Sequence, residues 1–340
     1  SGAASAIPGA RLDCLCVRGT HWCPKSASKC SDSCEQLGKP TPVDYCIKAP
    51  PLPSSLGLMV VDQTADWQRS GQGGKNIAAN ALLYHVLATG SEIASVVGNH
   101  ADAATFLSAS RKLRAAINGP ALWDEKRGAF RDNPLSTVYP QDGNALALWF
   151  NLTSSANAQR VSQYLGSNLG QFGASSPEWN GDISNFAGSM EVRGQLSLGS
   201  VEATRRGLAL IRTQWGYMLK HPNSTQSTFW EGMHADGSFA FQTIYMSHAH
   251  GWATGPAAAL THHVLGIRPV APTLHQDGGG GFENATESDT LALQQAYVVS
   301  PSPADLTACE GSLSFGGGRV ELQWDATPNR FVMALNASAH

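Results

Sequence analysis

The chain has 340 residues, 42% of them hydrophobic, with only 14% charged and a formal net charge of −3. Charged content well under the roughly 25% of an average soluble protein, with no Lys/Arg run or basic stripe, excludes nucleic acid as a partner. No apolar stretch approaches the roughly 18 residues of a membrane span, so a membrane partner is excluded too, and the length allows one large domain plus a smaller one.

Residues 1–55 differ from the rest. Cys14, Cys16, Cys23, Cys30, Cys34 and Cys46 crowd into them, while the remaining chain holds only Cys309. One reading is a small disulfide-stapled module. A zinc site is disfavoured, because the spacing is not a paired C-x-x-C array. The third reading is a segment with no native fold, such as a mis-joined stretch, which ends in the Pro-rich run Ala49-Pro50-Pro51-Leu52-Pro53. The N-terminus lacks the charged start and apolar core of a signal peptide. Sequons beginning at Asn151, Asn223, Asn284 and Asn336, in a Lys-poor and Ser/Ala/Gly-rich chain, instead predict a secreted, extracellular glycoprotein.

From Asn76 the pattern turns helical. Ala79, Leu83, Val86, Gly90, Ile93 and Val97 step by four and three residues, which predicts one buried helix face. Asn99 and Asp102 offer caps for a second helix, whose inner stripe is Phe106, Ser110, Leu113 and Ile117 and whose stop is Asn118-Gly119-Pro120. Further helices are predicted over 142–151, 157–169, 187–199 and 201–219, the last with Leu208, Ile211, Trp215 and Leu219 on one face. A final helix starts at Pro256, which suits a first turn, and ends at Gly266. Long connections separate the pairs, and 237–241 alternates like a short strand.

Repeated antiparallel helix pairs with decorated loops on one side predict a mainly α fold: an (α/α)6 toroid over 56–272. The ring is incomplete, since about seven helices stand where six hairpins need about twelve. After Pro272, 277–289 reads as a Gly-rich linker. Val320, Leu322 and Trp324, then Phe331, Met333 and Leu335, read as strands that begin a β-sandwich over 273–340.

The residues most suited to chemistry run from Thr228 to His234, with Trp230-Glu231 at the centre, and from Ser247 to Pro256, with His248 and His250. Glycoside hydrolysis needs two carboxyl groups, one to protonate the leaving oxygen and one to activate water or attack the sugar. A loop Glu flanked by aromatics suits such a role through partial burial, and a nearby imidazole can bond sugar hydroxyls. The plainer reading makes Glu231 an exposed loop acid and the histidines helix caps.

Trp-Glu followed about twenty residues later by His-Gly-Trp-x-x-Gly-Pro resembles the late catalytic segment of the α-L-rhamnosidase family of glycoside hydrolases. Asp66-Trp67, leading into Gly71-Gln72-Gly73-Gly74-Lys75-Asn76, resembles that family's Asp-Trp element. The start Tyr139-Pro140-Gln141-Asp142-Gly143-Asn144 resembles an inner-helix start of its fungal-type members, and Phe186-Ala187-Gly188-Ser189-Met190-Glu191 resembles another. The resemblance covers about residues 60–272.

It implies an (α/α)6 barrel, inverting hydrolysis of terminal α-L-rhamnosides, a carbohydrate partner and no cofactor. It makes Glu231 the general base, with His250, and less so His248, at the sugar. Trp67 and Trp123 would line the pocket, Asp66 would be a supporting acid, and Trp230, Asp142 and Glu191 would serve subsites or support. The family's acid-rich cluster before the Asp-Trp element is missing here: Asp13, Arg18 and Trp22 are too sparse to replace it. The resemblance therefore implies a chain that is N-terminally incomplete and weak or inactive, since lost acid assistance costs roughly 10²–10⁴ in rate.

Two alternatives stand beside this reading. One is another six-hairpin glycosidase, or a uronate lyase using Tyr245 and His248. The other is a non-catalytic carbohydrate-binding remnant. A metal centre is not expected: the histidines lack H-x-x-x-H spacing, and His262 and His263 are adjacent and point to different helix faces.

Overall fold

The computed structural model describes residues 14–16, 46–48, 56–61, 69, 73–241, 245–269, 297–315 and 318–339. Asp66, Trp67, most of the cysteine-rich segment and the linker 277–289 lie outside the described residues. The chain divides into two units, Ser1–Val60 and Val61–His340. In the first, β1 (Cys14–Cys16) pairs antiparallel with β2 (Cys46–Lys48).

The second unit is built on three helical hairpins. The first joins α1 (Ile77–Val96) to α2 (His100–Ile117). The second joins α3 (Gln141–Trp149) to α4 (Ser155–Gly166). The third joins α5 (Asn185–Ser197) to α6 (Val201–Leu210), which runs through a π-helical turn (Ile211–Trp215) into α7 (Gly216–Lys220). A last inner helix, α8 (Gly255–Ala259), has Pro256 in its first turn; it continues as a π turn (Leu260–Leu265) and stops at Gly266, whose φ of 90° is left-handed. Short polar side chains open most of these helices by accepting a backbone N–H at the start: Asn76 from Ala79, Asn99 from Asp102, Ser154 from Asn157, Ser184 from Ala187 and Ser200 from Ala203. Such caps satisfy donors that the helix itself leaves orphaned.

α1, α3, α5 and α8 form a row in which each packs on the next, and the return helices lie outside. Close approach needs small residues. A Cβ at Gly143 would stand 2.4 Å from Ile77 Cγ2 of α1, one at Gly194 2.7 Å from the Ala145 carbonyl of α3, and one at Gly255 2.5 Å from Ser189 Cβ of α5. The α1 stripe expected from the sequence does not face inward. Val86 is 64% exposed, with Ile93 and Val97 also exposed, while Ile77, Asn80, Ala81, Ser91 and Ala94 are buried. Contact between α1 and α2 selects small and hydrogen-bonding side chains: Phe106 of α2 lies against Gly90, and Ser91 Oγ donates to the Ala103 carbonyl at 2.8 Å. The α2 stripe is as expected at Ser110, Leu113 and Ile117.

Three two-stranded ribbons tie the connections: β3 (Trp123–Asp124) with β4 (Ala129–Phe130), β5 (Ile183–Ser184) with β6 (Gly232–Met233), and β7 (Ile267–Pro269) with β8 (Tyr297–Val299). The alternating segment 237–241 contributes only a single bridge, Phe239 to Met233. At the C-terminal end β9 (Ala308–Phe315), β10 (Gly318–Thr327) and β11 (Arg330–Ala339) form an antiparallel sheet with β10 in the centre. Val320, Leu322 and Trp324 turn inward and share a core with Val264, Leu265 and Ile267, and the Trp324 indole donates to the Val264 carbonyl at 3.1 Å. Sheet and helices thus belong to one hydrophobic unit. Among the described residues no helix is long and apolar enough to cross a membrane.

Candidate active site

The N-terminal ends of the inner helices come together. The Ile77 N–H of α1 donates to the Asp132 carbonyl at 2.8 Å, and Asn76 Nδ2 donates to the Asp132 carboxylate at 3.0 Å. Arg69 pairs with both Asp132 and Asp142, the latter in the first turn of α3. Glu178 accepts from the Gln141 and Asp142 N–H groups at 2.8 and 2.9 Å and so caps α3 from a neighbouring loop. The helix dipole favours carboxylates at this end. Burial, with Asp142 nearby, nevertheless pushes the Glu178 carboxyl up to about 8.

Glu191, two turns into α5, is pushed up to about 7 by burial, against the lowering effect of hydrogen bonds from Gln141 and Gln195. Gln141 Nε2 donates to it at 2.7 Å, while Gln141 Oε1 accepts from Ser176 Oγ at 2.5 Å. Glu191 therefore fastens α5 to α3, and its burial leaves no surface for a sugar. Asp142 is engaged by Arg69 and by the Gly143 N–H.

Glu231 lies immediately before β6, and the ribbon of β6 with β5 carries it over the start of α5. Its N–H donates to the Ser247 carbonyl at 2.9 Å, and its Oε2 accepts from the Ser247 N–H at 3.2 Å. The Trp252 indole donates to the Glu231 carbonyl at 3.0 Å. The His250 N–H donates to the Phe229 carbonyl at 2.9 Å, which fixes the histidine loop alongside. His250 Nδ1 then stands 3.9 Å from Glu231 Oε2, the side chains being 30% and 12% exposed. That separation exceeds a direct hydrogen bond and lets one water or hydroxyl lying to the side bond to both. The His250 ring lies 4.2 Å from Trp252, and Trp252 stacks on Phe186 at 5.1 Å.

The remaining expected residues lie elsewhere. Trp230 is fully buried against Tyr217, His221 and Phe239 and backs Glu231 from inside the core, so it cannot touch a sugar. His248 packs on Phe239 at 4.8 Å and faces Trp230, on the core side of the loop. Trp123 is buried against Phe130 and under Arg160 of outer helix α4, with its indole N–H on Glu125. Tyr245 is 75% exposed. Asp66 and Trp67 lie outside the described residues.

Sequence reading missed Arg69, Asp132 and Glu178, and quoted Phe186 and Trp252 within motifs without giving them a role. Glu178 carried a usable signal, an acid between Pro177 and Trp179 in a chain poor in charge. Asp132 and Arg69 carried none, because only the fold brings them to Asp142. Among the described residues no group of three or more His, Cys, Asp or Glu is arranged to hold a metal.

Rows of helical hairpins with a carboxyl and an imidazole over the inner-helix N-termini give a protein that is glycosidase-like in fold. A family model described as Trehalase matches residues 75–184. The GH78 family rhamnosidase of Bacillus sp. GL1 superposes with a TM-score of 0.59 at 21% identity, over 84% of this chain and 28% of that one. The α-L-rhamnosidase from Dictyoglumus thermophilum gives 0.55 at 22% identity, over 81% and 28%. A chain described as Sialidase gives 0.58 at 12% identity, over 83% and 27%. No curated protein matches the chain. At these identities the likeness is one of fold, and the chain spans under a third of the length of each of these structures.

Proposed function

We propose that the protein is a secreted glycoside hydrolase acting on terminal α-L-rhamnosides with inversion, Glu231 serving as general base and His250 as a sugar or water contact. The observation that carries this reading is the 3.9 Å approach of Glu231 Oε2 and His250 Nδ1, close enough for one oxygen lying beside the pair to hydrogen-bond to both. A base and an imidazole sharing a water is the arrangement that activates it for attack on a sugar carbon. Half-buried Trp252 and Phe186 supply aromatic surface beside it. The fold likeness to α-L-rhamnosidases supports the substrate class. The pocket roles of Asp66 and Trp67 rest on the motif alone.

A second reading, hydrolysis of trehalose or another disaccharide on the same frame, draws on the Trehalase family model over 75–184. One experiment separates them. Purified chain is assayed in parallel on an aryl α-L-rhamnoside and on trehalose, with Glu231→Gln as the control. Rhamnoside turnover, however slow, that falls at least a hundredfold in Glu231→Gln and yields the β-anomer first supports the proposal. Turnover of trehalose alone transfers the site to the second reading, and turnover unaffected by Glu231→Gln removes Glu231 from catalysis.

A further inference from the structure

The π-helical turn Ile211–Trp215 lies in the outer helix of the third hairpin, ahead of both loops in the chain. π turns are rare, and they concentrate where a helix must present side chains that regular α geometry would not. Here two consecutive buried residues, Gln214 and Trp215, reach the two loops separately.

Gln214 Nε2 donates to Asn185 Oδ1 at 2.7 Å, and Asn185 Nδ2 donates to the Trp230 carbonyl at 2.6 Å. That carbonyl belongs to the peptide immediately before Glu231. The other end of the Gln214 amide accepts from the Ala174 N–H at 3.1 Å. Both amides are fully buried. Gly173 and Gly188 close on Gln214 from two sides: a Cβ would lie 2.6 Å from Gln214 Oε1 at the first and 2.7 Å from Gln214 Nε2 at the second. The amide therefore has one orientation and little room to leave it.

Trp215 Nε1 donates to the Ala253 carbonyl at 2.7 Å. The Ala253 N–H in turn donates to the His250 carbonyl at 3.1 Å, closing the 3₁₀ turn (Gly251–Thr254) that follows His250.

We infer that Gln214 and Trp215 are positioning residues: the π turn holds the Glu231 loop through Asn185 and the His250 loop through Ala253, and so sets the gap between base and imidazole. The inference rests on the reading of Glu231 and His250 as the reactive pair. It adds a device, in a helix that touches neither, which keeps two loops in register. Near-attack geometry is sensitive to displacements of about 1 Å, at up to ~100-fold in rate.

The test uses Trp215→Phe, which removes one N–H and keeps an aromatic ring, and Gln214→Leu, which frees the Asn185 amide. Hydrogen exchange followed by mass spectrometry is the first readout and needs no activity. Trp215→Phe should speed exchange at least tenfold across 250–254, and Gln214→Leu across 229–233, with α3 unchanged in both. Kinetics on the aryl glycoside, with kcat expressed per folded molecule as counted by circular dichroism, is the second readout: kcat should fall at least tenfold while KM moves less than twofold, the pattern of an interaction lost in the transition state. Gln214→Leu also strands the Ala174 N–H and costs stability, so Trp215→Phe decides if the other fails to fold. Folded Trp215→Phe with parental exchange over 250–254, or with parental kcat, overturns the inference. A parent chain without hydrolytic activity overturns the catalytic reading instead, and exchange alone then decides the positioning.

Discussion

Two inner helices of the same row are enclosed to very different degrees. α3 buries Gln141, Asp142 and Asn144 with its alanines and leucines, whereas α1 leaves Leu82, Val86, Ile93, Val96 and Val97 in the open. The contrast shows that burial in a hairpin row is decided by which neighbours arrive and not by hydropathy alone. α3 has α1 on one side, α5 on the other and α4 behind, so even its polar side chains are enclosed and must find partners. α1 has α3 on one side and α2 behind, so much of its surface stays uncovered among the described residues. Apolar periodicity predicts that a helix exists and that one face is buried. It does not say which face when neighbours are few.

The sharpest way to break this comparison is to treat the buried polar residues of α3 as ordinary core. Asn144 is fully buried; its Nδ2 donates to the Phe130 and Pro140 carbonyls at 3.0 and 2.7 Å, and its Oδ1 accepts from the Phe130 N–H at 2.8 Å. Asn144→Leu removes three hydrogen bonds to the backbone; the Phe130 N–H and carbonyl lose their side-chain partner at about 1–3 kcal/mol each, while the Pro140 carbonyl, at the N-cap, keeps its helix bond. Denaturant unfolding is expected to show a loss on the order of 3 kcal/mol or more. A loss below 1 kcal/mol would mean that polarity in α3 is incidental.

An intermediate effect concerns Glu191. A carboxyl whose folded pKa of about 7 lies above its unfolded value favours folding at low pH, and that contribution is lost as pH rises through about 7. Glu191→Gln keeps an acceptor for Gln141 and removes the charge. The variant should melt progressively higher than the parent as pH rises from about 5 to about 8. Burial, with neighbouring cationic groups, pushes His263 down to about 4, so it acts in the opposite sense; it is common to both proteins and cancels in the difference. A parent–variant difference that stays constant with pH would refute the assignment.

The smallest effect belongs to α1. Val86→Lys and Ile93→Lys place charge where the sequence pattern expected core, yet both positions are largely exposed. Each should change unfolding free energy by no more than about 0.5 kcal/mol. A loss of 2 kcal/mol or more would restore the inward-facing stripe.

The sequence alone determined the helices, the Asn99 cap, the Gly266 stop and the strands around Trp324, because these depend on residues within a few turns of each other. Cap geometry, a left-handed glycine and strict alternation are local physics that a chain carries in any context. Only the tertiary structure decided that Trp123 and Trp230 are buried, that Arg69 meets Asp132 and Asp142, and that one π turn reaches both loops. Such pairings are fixed by which helices lie side by side. Once those helices exclude water, every enclosed amide and carboxyl must be answered by a group the sequence order does not reveal.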